Sequence, residues 1–136
     1  MVRNLRDPAF GRLATSARAS KDAYALFIGA GVSVDAGIPL AVTDIPAQED
    51  RTGIPSIVKR IKRDYYRSMN PRGSLHPDDI EIWYQQNGLL QAPETIYGDA
   101  LQLIGDTPED RRNYLHPLFD GKNPTPAHVY LAEMMA

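Results

Sequence analysis

Ala23-Tyr24-Ala25-Leu26-Phe27-Ile28-Gly29-Ala30-Gly31-Val32-Ser33 is the stretch on which the reading of this chain turns. Residues 23–28 are apolar without interruption between Lys21-Asp22 and Gly29, a pattern that predicts a strand buried on both faces, as in a parallel sheet. Such a strand needs neighbours for its backbone N–H and C=O groups. No other segment reads as clearly as a strand. The partners are therefore expected in sequence beyond Ala136, with short strands in Leu40–Ile45 or some other cover for the edge as alternatives. The fold class that follows is α/β: a Rossmann-like core, incomplete in this chain, with a mostly helical remainder.

Downstream, the prolines mark helix starts. Proline is tolerated in a first helical turn because its missing N–H has no intrahelical partner there and its fixed φ suits the helix. Pro8, Pro55, Pro77, Pro93, Pro108 and Pro126 all read this way and predict six helices. The clearest covers 55–69, where Ile54, Ile57, Val58, Ile61 and Tyr65 recur at helical spacing and Lys59, Arg60, Lys62, Arg63 and Arg67 fall mostly elsewhere. Others are expected over 77–86, ended by Asn87-Gly88, and over 93–104, ended by Gly105. A fourth opens at the N-cap Thr107, with Asp110 three residues on, and Pro117 is expected to end or kink it. The last is capped by Thr125, and the first spans about 8–19. The segments 40–53 and 70–75 read as flexible connections.

The composition bounds the function. A chain of 136 residues with 43% apolar and 24% charged side chains is one globular folding unit. Neither a bilayer-spanning run nor a secretory h-region is present, so a cytoplasmic address without membrane contact is expected. Fifteen basic against seventeen acidic residues give a net charge of −2 and no global attraction to nucleic acid. The absence of cysteine excludes disulfides, a thiolate nucleophile and a cysteine zinc site within these residues, and no other metal site is read.

A strand, then glycines, then a short helix is the geometry that aims backbone N–H groups at a phosphate. Gly29 and Gly31 permit a tight turn and a close approach, and Ser33 can cap the helix or bond a phosphate or ribose oxygen. Gly37 and Pro39 then end a helix of barely one and a half turns. Val34 stands at the third glycine position of G-x-G-x-x-G, and no Gly-Lys follows at the spacing of a Walker loop.

The longer string, Gly-Ala-Gly-x-Ser-x-x-x-Gly-Ile-Pro over 29–39, resembles the sirtuin (SIR2) signature at every fixed position. A second stretch, 121–132, with Pro126-Ala127-His128, looks like the helix that precedes the sirtuin Thr-x-Asn-x-Asp strand. The chain is similar to the N-terminal portion of a divergent, bacterial-type SIR2-like domain spanning 1–136. The resemblance implies NAD as cofactor, with Gly29, Ala30, Gly31 and Ser33 on its diphosphate and Gly37, Ile38 and Pro39 forming the turn into the cofactor loop. Where deacylases continue Asp-Phe-Arg, this chain has Leu40-Ala41-Val42, which argues against protein deacylation. The family's catalytic Asn and His are expected after Ala136, so catalytic residues are not assigned here.

The resemblance thus makes the parent an NAD glycohydrolase or NAD-dependent deacylase, such as bacterial defence proteins carry. The alternatives are a non-catalytic NAD or ADP-ribose sensor and an assembly module. A homo-oligomer or an attached effector domain is left open. His76, His116 and His128 read as caps or hydrogen-bonded helix-end residues and not as bases, because no carboxylate partner stands at a defined spacing. Lys59-Arg60-Ile61-Lys62-Arg63 reads as a solvated helix face, and Asp78-Asp79-Glu81 as a helix N-terminus.

Overall fold

The computed structural model describes Arg12, Thr15 and residues 29–135. The predicted strand 23–28 and most of the predicted helix 8–19 lie outside the described residues. A 3₁₀ helix, Ala30–Ala36, is followed by five α-helices: α1 (Ile57–Met69), α2 (Pro77–Gln86), α3 (Ile96–Ile104), α4 (Pro108–Phe119) and α5 (Pro126–Met135). The described residues fall into two compact units, one with the residues up to Ser33 and those from Pro124 on, the other Val34–Asn123.

In the larger unit, α1 is the organising element. Its N-cap Ser56 accepts from the Lys59 N–H at 3.3 Å. The preceding loop supplies what a helix start lacks: the N–H groups of Ile57 and Val58 donate to the carbonyls of Leu40 and Ala41 at 2.9 and 3.0 Å. The Ser56 N–H donates to the Asp44 carboxylate at 2.8 Å. Of the stripe anticipated from the sequence, Ile57, Val58 and Ile61 are buried and pack with Ala100 of α3, ringed by Ile96, Tyr97, Leu101, Ile104 and residues of α4, while Ile54 and Tyr65 are half-buried and Tyr66 is buried instead. Ile61 is 0% exposed, and its burial stabilises by about 1.5–3 kcal/mol. A second cluster of Tyr66, Ile80 and Tyr84 joins α1 to α2, with Trp83 edge-on to both Tyr66 and Tyr84. The buried Tyr84 hydroxyl donates to the Lys62 carbonyl at 3.0 Å, which meets its own polar requirement.

Local chemistry sets the helix boundaries. In α2, His76 caps by accepting the Asp78 N–H on Nδ1, Pro77 occupies the first turn, and Asn87 and Gly88 (φ 65°) end it. Pro93–Thr95 form a turn, so α3 begins three residues later than the proline suggested, at Ile96. Thr107 and Asp110 form a reciprocal capping box at the start of α4. That helix continues through Pro117 to Phe119, where the sequence reading expected an end or a kink at Pro117. Proline removes one N–H, but the remaining turn holds through Asp120 N–H to the His116 carbonyl at 2.9 Å.

The α/β, Rossmann-like expectation is corrected by this architecture. Among the described residues there are six helices and no sheet; the extended pairing consists of two isolated antiparallel bridges, Ile45 with Ile54 and Gln48 with Arg51. Residues 40–45, one candidate for hidden strands, give a single bridged residue, Ile45, whose partner lies nine residues on in the same loop. The physical reason is the period. Beyond residue 53 the apolar side chains recur at helical spacing, so among the described residues the buried surface is made by helix faces and not by a strand ladder.

Candidate functional site: the glycine loop and His128

The loop residues singled out from the sequence lie at the start and end of the 3₁₀ helix. Gly29, Ala30 and Gly31 are exposed, and Ser33 is half-buried. The first local bond runs from the Val32 N–H to the Gly29 carbonyl at 3.2 Å. A Cβ built on Gly29 or Gly31 meets no described atom within 4 Å. The glycines are therefore not demanded by contacts inside the described fold, and their outer surface is open to an approaching group. Gly37 differs: its φ of 77° is the left-handed conformation that ends the helix, and its N–H donates to the Val34 carbonyl at 2.9 Å. Ile38 is half-buried and Pro39 buried, so they serve the turn out of the loop and present little surface to a ligand.

One side-chain contact at this loop escaped the sequence reading. The Nε2 of His128, in the first turn of α5, lies 3.2 Å from Ser33 Oγ. On the other side of the ring, Nδ1 receives the Thr125 backbone N–H at 3.0 Å and lies 2.8 Å from Thr125 Oγ1. The His128 N–H returns to Thr125 Oγ1 at 3.4 Å. Thr125 is 6% exposed, so the cap is held inside the structure. The spacing Thr-x-x-His is a capping pattern readable in the sequence, and the cap reading of His128 describes half of what the ring does. Its reach to a loop ninety-five residues away leaves no local signal.

The other residues weighed from the sequence stay apart from this site. His76 caps α2, and His116 is exposed in the last turn of α4. The cations of the 59–63 run have partners within the chain: Lys59 with Asp44, Lys62 with Glu81, Arg63 with Asp64, and Arg60 with the Pro55 carbonyl. Among the described residues no group of three or more His, Asp or Glu side chains is arranged to hold a metal ion. No helix among them is long and apolar enough to cross a membrane. An open cavity of about 620 Å³ lies in the larger unit, over Leu89, Leu90 and Leu103 and beside Asp99, Asp106 and Arg111. Arg111 is engaged there with the carbonyls of Gly105 and Asp106 at 3.0 and 3.1 Å.

Two phenol groups are strongly perturbed outside the loop. Burial pushes the Tyr84 hydroxyl well above its ordinary range, and burial together with its hydrogen bond to Asp64 does the same for Tyr114. Both hydroxyls donate within the fold, Tyr84 to the Lys62 carbonyl and Tyr114 to the Asp64 carboxylate. No protein-family model, curated protein or solved structure matches this chain.

Proposed function

We propose that this chain is the phosphate-holding part of a SIR2-like protein, and that Gly29, Ala30, Gly31 and Ser33 take the diphosphate of NAD or ADP-ribose. The observation that supports this reading most is the Ser33–His128 hydrogen bond, because the two stretches that carry the sirtuin resemblance meet through it, side chain to side chain. The open face of Gly29 and Gly31 adds to it, since a diphosphate approaching backbone amides needs the room a side chain would take. Each favourable contact between an anion and amides at the start of a helical turn contributes about 0.3–1 kcal/mol.

This reading does not call on a parallel sheet; a loop entering a helical turn can hold a phosphate in a helical protein too. Nor does it assign cleavage of the nicotinamide–ribose bond to any described side chain. The groups for that step are those the resemblance places after Ala136, so the 136-residue chain is expected to bind ADP-ribose weakly and to release no nicotinamide from NAD. The test is a titration of wild type and Gly31→Val with ADP-ribose, following the amide signals of residues 29–33 by NMR, which reads weak binding. The valine meets no described neighbour, so the fold is expected to persist while affinity falls about tenfold or more through lost amide approach. Equal affinity of the two proteins sinks the assignment.

A further inference from the structure

A serine beside a histidine invites a hydrolase reading, in which the ring takes the hydroxyl proton. The directions of the hydrogen bonds argue the opposite. A backbone N–H can only donate, so the Thr125 N–H at 3.0 Å requires a lone pair on His128 Nδ1. The Thr125 hydroxyl, 2.8 Å from the same nitrogen and itself accepting the His128 backbone N–H, is best placed to donate as well. A neutral imidazole whose Nδ1 is an acceptor carries its proton on Nε2. Nε2–H therefore donates to Ser33 Oγ at 3.2 Å. A general base needs a bare nitrogen facing the hydroxyl, and here the nitrogen facing it is occupied.

We infer that His128 is a positioning residue that commits Ser33 to donate its own proton outward, to an acceptor-only group such as a phosphate oxygen. With one lone pair engaged by Nε2–H, the Ser33 O–H cannot point at the ring and is left for a ligand acceptor. The relay runs from buried Thr125 through His128 to Ser33, all within one compact unit. A charge-assisted bond from the serine to a phosphate oxygen is stronger than a neutral one, so fixing its direction selects anions over neutral polyols. This inference rests on the diphosphate reading of the loop for its ligand and on the relay alone for its geometry.

Two measurements test it on the full chain. First, ¹⁵N spectroscopy of the His128 ring in the unmutated protein is expected to show a protonated Nε2 and an unprotonated Nδ1. A protonated Nδ1 overturns the inference whatever the ligand does. Second, ADP-ribose is titrated into wild type, Ser33→Ala, His128→Asn and His128→Gln. Asparagine can keep the acceptor that Thr125 needs but withdraws the donor from Ser33; glutamine can extend a donor to it. The asparagine and alanine variants are expected to lose about tenfold in affinity, with their combination no worse than either, and glutamine to recover most of the loss. Wild-type affinity in His128→Asn overturns the positioning role and leaves the loop as the site. A wild-type chain whose loop amides do not move with ADP-ribose overturns the nucleotide reading itself, while the ring tautomer still decides the geometry.

Discussion

Replacing Gly105 with alanine is a small change whose cost is set by one close approach. Gly105 ends α3 with φ −178°, extended backbone that any residue adopts, so no conformational strain is involved. What the position lacks is room: an added Cβ collides with the Asp110 Cβ and stands 3.4 Å from the Arg111 nitrogen. Asp110 is the returning half of the capping box on α4. Its carboxylate accepts the Thr107 hydroxyl at 2.6 Å and the Thr107 N–H at 3.2 Å, while its own N–H donates to Thr107 Oγ1 at 3.2 Å. Side-chain rotation leaves the Asp110 Cβ where it is, so the first turn of α4 must shift, which weakens all three bonds. The loss of such a cap is worth about 1 kcal/mol, up to about 2. Against it stands the stabilisation of about 0.4–1 kcal/mol that a Gly→Ala change brings by restricting the unfolded chain. Crowding against the Arg111 backbone nitrogen adds to the loss, so Gly105→Ala is expected to destabilise by about 1 kcal/mol net. Urea unfolding followed by circular dichroism reads this directly. In an Asp110→Gly background the obstacle is gone, and the same substitution should become neutral or stabilising. Stabilisation by Gly105→Ala in the wild-type background would refute the steric account.

Ile61→Ala, at a fully buried position between α1 and α3, is expected to cost about 2–5 kcal/mol by thermal or urea unfolding, and a loss under 1 kcal/mol would mean that the α1 stripe is not the core. Asp44 predicts an acid dependence. The Lys59 ammonium, then the Ser56 N–H, hold its carboxyl below the ordinary value of 3.8. A group whose folded value is depressed stabilises above the unfolded value and loses that contribution as pH falls through the folded one. Wild type should therefore be more stable than Asp44→Asn at neutral pH, with the difference shrinking as the pH drops below about 4; a difference that persists unchanged on acidification contradicts the assignment.

Much of the helical layout was legible because it depends on neighbours in sequence. The His76 and Thr107 starts and the Asn87-Gly88 stop are each decided within one turn, where a side chain meets a backbone group two to four residues away; the start of α1 was read at Pro55, and the Ser56 cap that places it at Ile57 was not. The α1 stripe was legible too, since its spacing alone places Ile57, Val58 and Ile61 on one face. Pro93 misled by three residues: the turn 93–95 consumes the proline before Ile96 opens the helix. Pro117 does not end α4, because removing one N–H weakens a helix without stopping it when the next turn is still bonded. The fold class failed for a different reason. No sheet exists among the described residues: 40–45, the segment read as able to hide strands, contributes a single bridge at Ile45, and the apolar run 23–28 lies outside the described residues.

By itself the sequence determined the caps, the apolar stripe of α1 and the glycine loop with its serine, because helix propensity, capping and side-chain period act over three or four residues. Only the tertiary structure decided that residues 88–90, α3 and Arg111 line one cavity, that Asp44 serves the start of α1, and that Ser33 faces His128. Those pairings join residues far apart in the chain. They are selected by the sum of packing over whole helix faces, and no local pattern carries that information.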